Sequence, residues 1–127
     1  MSWGIKLDKA DKEWSRYIRL KHKRCERCRK PGGGVDSIKG LECSHYWGRR
    51  KESVRYDEFN TDCLCNGCHR YFGENPGEYR DWKFNKLGEV EYNKLMAIAH
   101  TPAKRDRDAV YRRAKELIKQ LQLEEQS

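Results

Sequence analysis

The sequence has no apolar run near the ~20 residues that a membrane-spanning helix needs, and no basic stretch followed by an apolar one opens it as a secretory leader would. Apolar residues are also in short supply. They make up 36% of the 127 residues against 38% charged, and the mean hydropathy is −1.14. A chain with so little core material usually needs a staple such as a bound metal. No unit repeats, and no shift in composition marks a domain boundary. These absences exclude a helical membrane protein and a repeat array. The expectation is one intracellular domain over residues 1–127 with no membrane partner. Within it, residues 1–24 should form a basic helix, 25–75 a core and 76–127 further helices.

Cysteine, by contrast, is well represented, with six residues. Where thiols stay reduced, paired Cys-x-x-Cys units bind metal more often than they form disulfides. Cys25-Glu26-Arg27-Cys28 and Cys65-Asn66-Gly67-Cys68 are two such knuckles. Brought together, they offer four thiolates to one tetrahedral Zn²⁺; the bland alternative is buried or redox thiols. Cys43 and Cys63 then read as small buried side chains, since one zinc ion is already satisfied.

The net charge of +8 is unevenly spread. Residues 1–30 hold 11 Lys and Arg against 4 Asp and Glu, residues 31–70 hold 6 against 6, and residues 71–127 hold 11 against 10. Such clustering fits a polyanion ligand such as nucleic acid, with Lys12, Arg16, Arg19 and Lys23 as contacts. A solvated helix face explains it equally well.

Periodicity predicts an amphipathic helix over 7–23, with Ala10, Trp14, Tyr17 and Ile18 on one side and Lys6, Lys9, Lys12 and Arg16 among those opposite. Pro31-Gly32-Gly33-Gly34 breaks the chain. Alternation over 38–47 predicts a strand with Cys43 and His45 on one face. An Arg-rich loop follows, then a stub strand at 61–64 and a helix from the second knuckle carrying His69, Tyr71 and Phe72. Asn75-Pro76-Gly77-Glu78 starts another helix, ending at Gly88. Two more are expected over 89–99 and roughly 103–121, with fraying at the end of the chain. His22 and His100 read as surface histidines without a role.

Knuckle, strand with His45, loop, Asn60, second knuckle and helix with His69 follow one another in that order. Over residues 25–72 this order resembles the ββα-metal, or HNH (His-Me finger), nucleases. Ser44-His45-Tyr46, the run Arg49, Arg50, Ser53, Arg55, Tyr56, Asp57, Glu58 and Asn60, and Cys68-His69-Arg70-Tyr71-Phe72 are similar to phage recombination nucleases of the NinG (Rap) type. The resemblance implies an α+β fold with a zinc-stapled ββα-metal core. It also implies metal-dependent DNA cleavage, with branched recombination intermediates as the associated substrate and a phage protein acting in a bacterial host.

By that resemblance, His45 is the general base and Asn60 ties down the loop that holds it. His69 binds a catalytic Mg²⁺ or Mn²⁺. A nitrogen ligand tilts selection toward Mn²⁺ and later transition ions; helix capping is the bland reading of His69. Arg49, Arg50 and Arg55 suit bidentate phosphate contacts. Many HNH enzymes carry Asp or His as a second metal ligand just before the catalytic histidine, where this chain has Ser44. The ion is then held by His69 with water and phosphate, or by Asp57, Glu58 or Asp62. Symmetric cutting of a junction would require a homodimer, for which the C-terminal helices offer a surface. The alternatives are a non-catalytic zinc-knuckle DNA-binding module and a zinc-ribbon protein-interaction adaptor.

Overall fold

The computed structural model describes residues 7–126; Lys6 and the rest of the first six residues of the basic arm, and Ser127, lie outside them. In chain order the elements are α1 (Lys9–His22), β1 (Leu41–His45), a 3₁₀ turn (Glu52–Val54), β2 (Thr61–Cys65), α2 (Asn66–Glu74), α3 (Pro76–Leu87), α4 (Glu89–Ala99) and α5 (Arg107–Gln126). The class is α+β, as expected: five helices and one two-stranded antiparallel sheet among the described residues.

Helix α1 starts on a reciprocal cap. The Asp8 carboxylate accepts the Asp11 N–H and the Asp11 carboxylate accepts the Asp8 N–H, each at 3.0 Å, satisfying two donors that the first turn leaves open. The helix ends at Lys23, whose left-handed backbone (φ 59°) lets its N–H reach Arg19 O. Ala10, Trp14, Tyr17, Ile18 and Leu20 are buried with Leu41, Cys43, Cys63 and Leu64 of the hairpin. Ala114 and Ile118 of α5 join the same cluster, so α1 is packed between sheet and C-terminal helix rather than standing free as an arm.

The strands pair in register from Leu41 opposite Cys65 to His45 opposite Thr61. β1 is shorter than the expected 38–47 because a glycine turn takes up its start. Gly33 and Lys39 exchange backbone hydrogen bonds at 2.8 and 2.9 Å, and Gly40 follows at φ 87°. Gly32 is required here, since a Cβ would lie 2.2 Å from Ser37 O. β2 is a full five-residue partner rather than a stub, and every residue of it is buried. Both of its faces are covered, by α1 on one side and α2 with α3 on the other.

The other differences lie in α5, which starts four residues later than expected and runs on to Gln126. Asp106 accepts the Ala109 N–H at 3.1 Å, and the next residue, Arg107, binds Asp8 and Glu52, both at 2.7 Å. At the far end Glu125 pairs with Lys23, which joins the last turn to α1.

Two buried ion pairs complete the interior. Arg55 grips Asp11 through Nε and an Nη at 2.8 and 2.7 Å. Asp62 receives Lys83 Nζ at 2.8 and 3.0 Å, Tyr79 OH at 2.7 Å and Lys86 Nζ at 2.6 Å. Burial raises the Asp62 pKa, but the two ammonium groups outweigh it and hold the carboxyl below its usual range. Removing one partner of a buried pair leaves an uncompensated charge. Asp62→Ala is therefore expected to destabilise the fold by about 3–5 kcal/mol, read as a lower urea midpoint. A loss below ~1 kcal/mol, the size of a surface pair, would contradict the buried network.

Candidate functional site

The four knuckle cysteines come together from three elements. Cys25 and Cys28 sit in the turn after α1, which is closed by Cys25 N–H to Lys30 O and Arg29 N–H to Cys25 O, both 2.9 Å. Cys65 ends β2 and caps α2, and Cys68 lies in the first turn of that helix. In each knuckle the first sulfur accepts the backbone N–H of the second cysteine at 3.4 Å. All four Sγ atoms lie within 4.8 Å of one another. The Cys28–Cys65 separation of 3.7 Å matches the edge of a tetrahedron built on Zn–S bonds of ~2.3 Å. The donor set and its geometry fit a metal such as zinc.

Neighbouring groups pull the knuckle thiols both ways: burial pushes Cys68 up to about 12 although the Arg27 guanidinium opposes it, while Cys25 is shifted toward thiolate. Burial raises the Cys25 pKa, but the surrounding backbone N–H donors, Cys28 first, outweigh it and bring the thiol down to about 7. Arg27 points Nη1 at Cys68 Sγ, 3.4 Å away, and lies over the Tyr71 ring. Glu26 sews the first knuckle to β2, bonding both the N–H and the C=O of Cys63. Cys43 and Cys63 are buried outside the cluster, and burial pushes both thiols up to about 12.

His45 closes β1. Its Nε2 lies 2.9 Å from Arg55 O; a carbonyl only accepts, so Nε2 carries the proton and Nδ1 keeps its lone pair. Nδ1 is buried without a hydrogen-bond partner. Burial first, then the Arg49 charge, lowers this imidazole to about 4, so it is neutral at pH 7. Asn60 is fully buried and clamps the intervening loop. Its Oδ1 accepts the Trp47 N–H at 2.8 Å, and its Nδ2 donates to Trp47 O at 2.9 Å and Val54 O at 3.0 Å. The loop held this way carries the Arg55 carbonyl that fixes the His45 ring.

His69 stands elsewhere. Its Nδ1 is 2.7 Å from Glu42 Oε1, and both side chains are roughly half-exposed. Glu42 and Ser44 alternate with Cys43 and His45 along β1, so His69 and His45 meet opposite faces of the strand. Among the described residues, the four cysteines are the only group of three or more His, Cys, Asp or Glu side chains gathered at ligand distance.

The carboxylates considered as partners for His69 are engaged away from it. Asp62 is held by Lys83 and Lys86, Glu58 by Tyr17 and Lys21, and Asp57 by the Phe59 N–H. Ser44 is buried, with its hydroxyl 2.9 Å from Tyr79 OH. The carboxylate beside His69 is Glu42, which sequence reasoning missed. Its place on the Ser44 face, two residues before Ser44, was the available signal.

The expected phosphate-binding cations divide. Arg50 is exposed, while Arg49 is half-buried with its Nε unpartnered. Arg55 is corrected: it is 2% exposed and committed to Asp11, so it serves the fold and not the surface. On α1, Lys12 is exposed, Arg16 and Arg19 are half-buried, and Lys23 is paired with Glu125. Arg16 also shares a shallow groove with Arg112, Lys115 and Lys119 of α5, lined as well by Glu13 and Glu116, with Lys115 paired to Glu13; only tertiary packing creates this mixed-charge cluster.

No helix among the described residues is long and apolar enough to cross a membrane. No protein-family model matches the sequence, and no curated protein or solved structure is significantly similar to it.

Metal-binding energy in such a centre is also folding energy. Cys28→Ser or Cys65→Ser, or a strong chelator, is expected to unfold the hairpin region by circular dichroism with loss of one zinc per chain. A folded protein without metal would contradict this. For His45, the unfolded imidazole titrates near 6.5 and the folded one near 4. The unfolded chain therefore binds more protons between those values. The His45 contribution is fully present above pH 6.5 and is lost as pH falls through 4. An NMR titration should place the His45 midpoint near pH 4; a midpoint near 6.5 would mean that the ring is not enclosed as described.

Proposed function

We propose that this chain is a metal-dependent DNA endonuclease of the HNH type, with His45 as general base. The observation that carries the reading is the state of His45. It is neutral, its Nε2–H is tied to Arg55 O, and its Nδ1 lone pair is left without a partner. A general base has to be unprotonated at working pH and held in one orientation, and this ring, tied at Nε2 and lowered to about 4, meets both conditions while being a weaker base than an ordinary imidazole. Asn60, which fixes the loop through three hydrogen bonds, supports that orientation. The order of knuckles, strand, loop and helix supports the family assignment.

In this reading zinc on Cys25, Cys28, Cys65 and Cys68 is structural. His45 Nδ1 takes a proton from the attacking water as its oxygen bonds to phosphorus. The bond to the 3′ oxygen breaks and that oxygen takes a proton from solvent water, leaving a 5′-phosphate and a 3′-hydroxyl. His69 would hold a Mg²⁺ or Mn²⁺ ion, which when bound would supply positive charge to the phosphate and the leaving oxygen. Arg49 and Arg50 contact phosphates near His45, while Lys12, Arg16, Arg19 and Lys23 hold flanking DNA. Branched DNA is the proposed substrate, cut inside the cell, with a homodimer for symmetric cutting.

The non-catalytic zinc-knuckle DNA-binding module is the second reading. It is favoured by the separation of His45 and His69 on opposite strand faces and by Ser44 at the position of a ligand. His45→Ala separates the two. Under the nuclease reading it should lower the cleavage rate by ~10²–10⁴-fold and leave DNA affinity and zinc content unchanged, because phosphate contacts carry the affinity. Activity within a few fold of wild type would move the base elsewhere.

Binding has its own test. Replacing Lys12, Arg16, Arg19 and Lys23 by Gln should flatten the log–log dependence of affinity on salt by ~0.9 for each lost contact on duplex DNA. Parallel slopes would leave α1 as a solvated scaffold face. Arg55→Gln, by contrast, should lower stability and not the salt slope.

A further inference from the structure

Glu42 and His69 form a pair that neither the zinc centre nor the His45 site uses. Glu42 Oε1 lies 2.7 Å from His69 Nδ1. With the Asn66 amide oriented to donate, its nitrogen lies 3.2 Å from Glu42 Oε2 and 3.1 Å from Gly40 O. Both carboxylate oxygens are thus anchored, one by the histidine and one by an amide in the second knuckle. Asn66 and His69 flank Cys68, so the metal centre that fixes the knuckle also fixes this pair. A carboxylate facing Nδ1 holds the proton on that nitrogen, and the Nε2 lone pair is left facing away from Glu42.

That arrangement is the carboxylate–histidine half of a metal site. Histidines that bind metals commonly donate their second ring N–H to a carboxylate, which sets the tautomer and strengthens the ligating nitrogen. The protein would supply one imidazole nitrogen, so water and substrate phosphate would have to complete the ion's shell. Mg²⁺-type sites keep several waters and take few protein ligands, completing their shell with substrate phosphate.

We infer that Glu42, held by Asn66, is the positioning residue that presents His69 Nε2 to a divalent cation. This rests on the proposed role of His69 as the ion's ligand. It replaces Asp57, Glu58 and Asp62 as the acidic residue serving that ion, and it accounts for a site in which Ser44 is turned toward Tyr79. The bland reading is a half-exposed Glu–His surface pair of little energetic value.

The test uses full-length, zinc-loaded protein with dimethyl phosphate, an uncleavable stand-in for the DNA phosphodiester, and two readouts. First, ¹⁵N NMR at pH 8.5 should show His69 with the proton on Nδ1. Glu42→Ala should move it to the Nε2–H form favoured by an unsupported imidazole. Second, Mn²⁺ binding followed by the loss of its free-ion EPR signal should disappear in His69→Ala. It should weaken about tenfold to a hundredfold in Glu42→Ala and recover in part in Glu42→Gln, whose amide oxygen can still accept from Nδ1. Circular dichroism and zinc content should match wild type in each variant.

An Nε2–H tautomer in wild type, or Mn²⁺ affinity unchanged by Glu42→Ala while His69→Ala abolishes it, would overturn the role of Glu42 and leave His69 as a ligand. Mn²⁺ binding that survives His69→Ala, or is missing from wild type, would overturn the ion at His69 and this inference with it.

Discussion

The gathering of four cysteine side chains at one point is the constraint on which the rest of this structure depends. A two-stranded hairpin is marginal by itself, and the chain has too few apolar side chains to enclose it generously. The knuckles solve this by position. Cys25 and Cys28 lie just beyond α1, Cys65 ends β2 and Cys68 begins α2, so one centre joins a helix, the hairpin and a second helix. Glu26 extends the junction by bonding the backbone of Cys63 on both sides. Arg27 sets a positive charge beside the sulfurs while covering Tyr71 and Phe72. The pair formed by Glu42 and His69 inherits its geometry from the same junction.

A second layer of order comes from polar groups placed where water is excluded. Asn60 makes three hydrogen bonds to one loop. Leaving such buried groups unpaired costs ~1–3 kcal/mol each, so the loop has few other conformations open to it. Arg55 joins that loop to α1 through Asp11, and its own carbonyl receives His45. The side chain of Arg55 serves stability and its backbone serves orientation. Asp62, Lys83, Lys86 and Tyr79 do the corresponding work on the other face of the hairpin, tying α3 to β2.

Much of this was legible in the sequence, and for identifiable reasons. The two Cys-x-x-Cys units, the helices read over 7–23 and from Pro76, and the shared face of Cys43 and His45 are local signals, and all appear within a residue or two of where they are expected. What the sequence concealed was partnership. Arg55 sits in an Arg-rich polar stretch that resembles a phosphate-binding loop, and only the approach of Asp11, 44 residues away in sequence, makes it a core residue. Glu42 looks like an ordinary exposed strand residue until α2 lays His69 and Asn66 against it. The strand at Thr61–Cys65 reads in the sequence only as a stub over 61–64, because so short a run opening on polar Thr61 and Asp62 carries little strand signal. Trp14 Nε1 and the two lysines of α3 pair with them, which allows them to be buried.

The central claim is that this scaffold hydrolyses DNA, and the products of incubation in ¹⁸O-labelled water test it most directly. Plasmid and four-way-junction DNA would be incubated with zinc-loaded, full-length protein and Mn²⁺ or Mg²⁺, and the new ends analysed by mass. The account predicts strand cuts with one ¹⁸O atom in a 5′-phosphate facing an unlabelled 3′-hydroxyl. DNA that stays intact with every ion, in the presence of folded protein that binds it, would contradict the account and leave a zinc-stapled DNA-binding module.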